Sequence, residues 1–172
     1  GFESGTTFPA NGWTVVNDAT NTSPTPNDTW FVGSTGANSG SNGAYISKSS
    51  TGANNYAGVA CTGTTYYSVS HFYQDVTIPA GETTITLSFN WRGQGDAYDC
   101  LQVFMVPTST TITADNQLYS GQIGTNYYDA SATAWHTVTL TLPCSYAGTT
   151  QRLVFSWVDD YYCPRITAAS VD

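Results

Sequence analysis

Apolar and polar residues alternate over several stretches of the chain, the period-two pattern of strands with one buried and one wet face. Residues 84–91 set Ile85, Leu87, Phe89 and Trp91 against Thr84, Thr86, Ser88 and Asn90. Residues 135–143 alternate in the same way through Val138, Leu140 and Leu142. Residues 68–76 read as a strand that stops at the turn Ile78-Pro79-Ala80-Gly81-Glu82. Residues 100–106 are apolar on both faces for part of their length and stop at Pro107, which predicts a strand central in its sheet. Residues 152–158 form a further strand, with shorter ones at 45–47 and 168–171. No helical period competes with this pattern. β-Branched and aromatic residues dominate the apolar set, and Gly, Asn, Pro and Ser interrupt it roughly every ten residues. About eight short strands with turns between them predict an all-β fold, an antiparallel β-sandwich of jelly-roll type. Residues 33–43 are a Gly-, Ser- and Asn-rich loop within the domain, not a linker. With no internal repeat and no boundary, residues 1–172 are expected to form a single domain.

Composition changes the picture in one respect. Charged residues are only 9% of the chain, far below the roughly 25% of an ordinary soluble protein. Ser, Thr, Asn, Gly and Tyr replace them, a surface chemistry that suits extracellular β-proteins. The net charge is −8, from 12 acids and 4 bases. Lys48, Arg92, Arg152 and Arg165 are scattered, so there is no basic stripe for nucleic acid or an anionic membrane. No stretch approaches the roughly 20 apolar residues of a membrane span. The expected location is secreted or on the cell surface.

The four cysteines, Cys61, Cys100, Cys144 and Cys163, lie too far apart for a zinc finger, and only two histidines are present. Widely spaced cysteines in such a chain predict two disulfides formed in an oxidising compartment, with three possible pairings.

Several segments together resemble a known family. They are Gly1-Phe2-Glu3-Ser4-Gly5, Phe8-Pro9-Ala10-Asn11-Gly12-Trp13 and Asn27-Asp28-Thr29-Trp30, then Gly43-Ala44-Tyr45-Ile46-Ser47. The strand and turn from Tyr73 to Gly81, Leu87-Ser88-Phe89-Asn90-Trp91 and Leu153-Val154-Phe155-Ser156-Trp157 complete the set. In this order they resemble the choice-of-anchor J and cleaved-adhesin domains of Bacteroidota surface and secreted proteins, which are similar to MAM domains. The resemblance implies a jelly-roll sandwich, structural calcium and an adhesive or accessory role within a longer protein. Ala168-Ala169-Ser170-Val171-Asp172 matches the family's closing strand as far as the Asp.

The excess of carboxylates also makes a hard cation plausible. Calcium takes six to eight oxygen ligands, and the first and last strands of a jelly roll commonly lie near each other. Glu3 and Asp172 are therefore expected to converge on a calcium ion, with Asp28 as a third carboxylate. By resemblance these positions fall in the family's calcium region. For a ligand, the pattern to seek is an aromatic face beside a carboxylate, since sugars stack C–H surfaces on rings and donate hydroxyls to acids. Three places offer it: Arg92 and Asp96 around the loop 93–99, the run Tyr127-Tyr128-Asp129, and the run from Asp159 through Tyr161 and Tyr162. His71 and His136 lie in no nucleophile motif, and no Gly-x-Ser-x-Gly elbow is present, so the chain is not expected to be an enzyme. The expected activity is adhesion to a glycan or a cell-surface protein. The alternative is a structural subunit of a surface fibre, which would meet further copies of itself and have no sugar site.

Overall fold

A computed structural model describes residues 1–17, 28–47, 51–53, 68–130, 134–159 and 168–172. Among the described residues nine strands follow one another: β1 (Thr14–Val16), β2 (Thr29–Gly33), β3 (Gly43–Ser47), β4 (Ser68–Thr77), β5 (Ile85–Arg92), β6 (Cys100–Pro107), β7 (His136–Leu142), β8 (Thr150–Asp159) and β9 (Ser170–Val171). They form two antiparallel sheets in the order β1-β4-β8-β6 and β2-β3-β9-β5-β7, packed face to face as the expected sandwich. β1 and β2 are too short to leave a clear alternation in the sequence. Among the described residues, no helix is long and apolar enough to cross a membrane.

The core lies between the sheets and is largely aromatic. Phe72 of β4 is fully buried and stacks on Phe155 of β8, its cross-strand partner, at 4.9 Å between ring centroids. Phe2, Phe8, Trp13 and Trp30 close around Phe72 at 4.8–5.9 Å. From the second sheet, Phe89 meets Phe155 edge-on at 5.3 Å. In β5 and β7 only the inward residues join this core, while Thr86, Ser88, Thr137, Thr139 and Thr141 stay exposed.

The first sheet is covered on both faces, which corrects one expectation. β6 is not central; it ends its sheet. Its apolar outer face is buried because the segment after it folds back. Ile112 and Leu118 pack on Phe104, Val106 and Val154, and Asp115 donates its N–H to Val69 O at 2.9 Å. The chain then runs along the edge of β6, with backbone bonds between Met105 and Gly121, Val103 and Ile123, and Leu101 and Tyr127. The two-faced apolar pattern thus came from a covering segment, not from flanking strands on both sides.

The same outer face holds a buried histidine. Thr113 O can only accept, so His71 Nε2 carries the proton and donates to it at 3.2 Å. Nδ1 then accepts from Ser156 Oγ at 2.7 Å. Burial, the largest influence, lowers the His71 pKa to about 4. Nearby, Arg152 grips Asp75 with two bonds of 2.7 and 3.0 Å and lies over the Tyr73 ring at 4.4 Å. The hydrogen bond from Arg152 holds the Asp75 carboxyl below the usual carboxylate range.

Candidate functional site

Glu3 and Asp172 do approach each other, by way of the loop that joins β2 to β3. Glu3 accepts from Ser41 N and Asn42 N, each at 3.0 Å. Asp172 Oδ2 accepts from Asn38 N at 3.0 Å and Ser39 N at 2.8 Å. Four peptide N–H groups of one loop therefore face two carboxylates. Gly40 makes this cradle possible: its φ is +68°, and a Cβ there would lie 2.6 Å from Glu3 Oε1. Asp28 does not join them. It precedes β2, at the far end of that five-residue strand from the loop, and is buried with Oδ2 accepting from Trp157 Nε1 at 3.2 Å. The trio Glu3, Asp28 and Asp172 is thus split between the two ends of β2. Among the described residues, no group of three or more His, Cys, Asp or Glu could hold a metal ion.

A different corner gathers aromatic and polar side chains at the surface. After β5 the chain turns through residues 93–99 and is tied to the segment before β7. Asp129 N donates to Gly93 O, and Gly95 N donates to Asp129 O, both at 3.1 Å. Gly95 allows this closure, because a Cβ there would lie 1.9 Å from Asp99 O and 3.3 Å from Tyr128 Cβ. Asp96 Oδ1 accepts from Tyr98 N at 2.8 Å and Asp99 N at 3.2 Å, a side-chain-closed turn. That turn presents Tyr98 69% exposed, and Tyr128 stands 45% exposed beside it. Asn126 Nδ2 donates to Ala97 O at 3.1 Å, and Gln94 Nε2 donates to Ala130 O at 2.9 Å. Beneath them His136 Nε2 bonds Asp129 Oδ2 at 2.7 Å, its ring stacked on Trp91 at 4.9 Å. Arg92 lies over Trp135 at 4.9 Å and donates to Thr35 O at 2.6 Å.

This geometry sorts the residues expected to touch a ligand. Asp96 and Tyr128 lie on the two segments tied together at this corner, whereas the Arg92 guanidinium is engaged by Thr35 O and Trp135. Tyr127 does not join the corner, since pairing with Leu101 turns it inward, against Phe89 at 5.5 Å and Trp91 at 5.6 Å. Asp159 ends β8 buried, opposite Ser68, so it offers no surface carboxylate. Tyr161 and Tyr162 lie outside the described residues. Asp129 belonged to the expected run Tyr127-Tyr128-Asp129, but Tyr98, Asn126 and His136 were not singled out as site residues. For Tyr98 the available signal was a tyrosine between Ala97 and Asp99 in a Gly-rich loop.

The cysteines also depart from expectation. Cys100 and Cys144 are both free, Cys100 buried and Cys144 exposed, so two disulfides using all four cysteines do not form; Cys61 and Cys163 lie outside the described residues. Burial, with Asp99 and Asp96 nearby, raises the Cys100 thiol pKa to about 12. Alkylation of the native protein at neutral pH is expected to label Cys144 and leave Cys100 unlabelled until denaturant is added. Peptide mass spectrometry reads both sites. A Cys100 that stays unlabelled in denaturant without reductant would contradict a free thiol.

No protein-family model matches the chain, and no curated protein does. Among solved structures it is similar to the K1 cleaved adhesin domain of Lys-gingipain from Porphyromonas gingivalis W83, at 15% identity over 94% of this chain and 87% of that one, with a TM-score of 0.47. It is also similar to the K3 domain of the same protein, at 14% identity over 94% and 88%, with a TM-score of 0.41. The chain is similar to cleaved adhesin domains, the family that its own segments resemble.

Proposed function

We propose that this is a non-catalytic, extracellular adhesin-type domain that holds a neutral carbohydrate at the corner formed by residues 93–99 and 126–129. The observation that carries this reading is the pair of exposed tyrosines, Tyr98 and Tyr128, on backbone pinned from below by Asp129. Exposed rings on a fixed backbone lose little entropy when a sugar face stacks on them. Asp96, Gln94 and Asn126 supply acceptors and donors around the rings for hydroxyl groups. The net charge of −8 disfavours sialylated or sulfated glycans. His136 bonds Asp129 and stacks on Trp91, which supports a role in holding the loop.

A glycan array, run once with calcium and once with chelator, tests the reading. Binding to neutral glycans is expected, with Tyr98→Ala and Tyr128→Ala each weakening it about 10-fold, an effect of about 1.4 kcal/mol. Both tyrosines are exposed, so melting temperatures should stay within a degree or two of the parent. The two buffers report whether a cation takes part, with Glu3 and Asp172 as the carboxylates to examine. A blank array from folded protein, or tyrosine variants that bind like the parent, would remove the proposal.

A further inference from the structure

Two open sheets have four edges, and an edge strand is a template for pairing unless the protein blunts it. Three of the four are blunted here. β1 is only three residues long. The edge of β2 is capped by a side chain: Trp30 N donates to Asn17 Oδ1 at 2.8 Å, and Asn17 Nδ2 donates to Trp30 O at 3.4 Å. The edge of β6 is covered by residues 121–127, as described above.

β7 is the exception. Among the described residues it pairs with β5 alone, in unbroken register from Ile85↔Leu142 to Trp91↔His136, with no bulge to twist it away. Its sequence, His136-Thr137-Val138-Thr139-Leu140-Thr141-Leu142, has no Lys, Arg, Asp, Glu, Pro or Gly, the residues that usually guard an edge. Val138 and Leu140 touch the core yet remain half-buried.

We infer that β7 pairs with β7 of a second copy, antiparallel about a two-fold axis through Thr139, joining two five-stranded sheets into one. The strand is self-complementary in that register. Thr137 meets Thr141, Val138 meets Leu140, and Thr139 meets itself. Apolar residues align on the core side, hydroxyls align on the wet side, and no like charges oppose each other. An isologous contact of this kind closes as a dimer and does not propagate. A second copy is favoured over a foreign strand because residues 137–141 read the same forwards and backwards in polarity about Thr139, and only the outermost pair, His136 with Leu142, is unlike.

Sedimentation velocity across a range of concentrations tests this on the whole chain. The parent is expected to dimerise reversibly. Thr139→Lys, which sets two ammonium groups against each other on the axis, is expected to weaken the dimer by 10-fold or more. Thr86→Lys, on the same wet face but one strand in and away from the axis, should leave it nearly unchanged. A parent that is monomeric throughout, or a dimer indifferent to Thr139→Lys, would overturn the inference. Crosslinking gives a reading that does not depend on the lysine variant folding. Directly opposed residues of an antiparallel pair lie within disulfide reach. In a Cys144→Ser background, Thr139→Cys should give a covalent dimer on mild oxidation and Ser88→Cys should not. Equal crosslinking of the two would also overturn it.

Discussion

Replacing Phe72 with alanine is expected to destabilise the protein by about 3–5 kcal/mol, the usual range for emptying a buried aromatic site. Phe72 has no solvent exposure, and its neighbours come from four separate parts of the chain: Phe2 and Phe8, Trp13, Trp30, and Phe155. These rings lie on opposing sheets and on the N-terminal segment, so they cannot all move into the space that the substitution leaves. A domain of this size has a total stability of about 5–15 kcal/mol, so the variant should unfold at a much lower urea concentration. Equilibrium denaturation followed by tryptophan fluorescence measures the effect. A loss below about 1 kcal/mol would mean that the aromatic cluster repacks freely and is not the centre of the fold.

Acid should weaken the fold before the carboxylates titrate. His71 binds a proton with a pKa of about 4 when folded, against 6.5 as the ordinary value. Between these values the unfolded chain binds more protons than the folded one, so stability falls as pH falls. The loss begins below pH 6.5, grows by about 1.4 kcal/mol per pH unit, and reaches about 3 kcal/mol near pH 4. Its structural cause is specific. Nδ1 is the acceptor for Ser156, so the added proton must turn that hydroxyl around, and Thr113 O already occupies Nε2. Asp75 acts in a separate, lower window. Its carboxyl is held below 3.8 by Arg152, so the stability it contributes persists above that value and is lost only as pH drops through the lowered one. Urea titrations at several pH values, with His71→Asn as the reference lacking the slope, measure the histidine contribution. A His71 imidazole that titrates near pH 6.5 by NMR in the folded protein would refute the assignment.

How far the fold was legible depended on where each strand's neighbours come from. Residues 84–91 declared themselves because β5 has one wet face, and the alternation reports that directly. Residues 100–106 misled because their outer cover, Ile112 and Leu118, arrives from an irregular segment with no period of its own. The site was harder still. Tyr127 and Tyr128 are chemically identical in sequence, and only the pairing of Tyr127 with Leu101 decides which ring is buried. Glu3 and Asp172 were expected to converge through neighbouring first and last strands, but β1 and β9 lie in different sheets and it is the loop 38–42 that gathers the two acids. The exclusion of Asp28 was not readable, because it depends on which end of β2 the acid occupies.

β9 carries a consequence for how the protein comes to be folded. These two residues sit between β3 and β5, in the middle of the five-stranded sheet, and Asp172 adds two backbone bonds to Asn90. Without them that sheet is two unconnected pairs of strands, β2-β3 and β5-β7. During synthesis this central staple is made after the eight other strands, so the second sheet cannot close before residues 168–172 have emerged. Such non-local closure is slow.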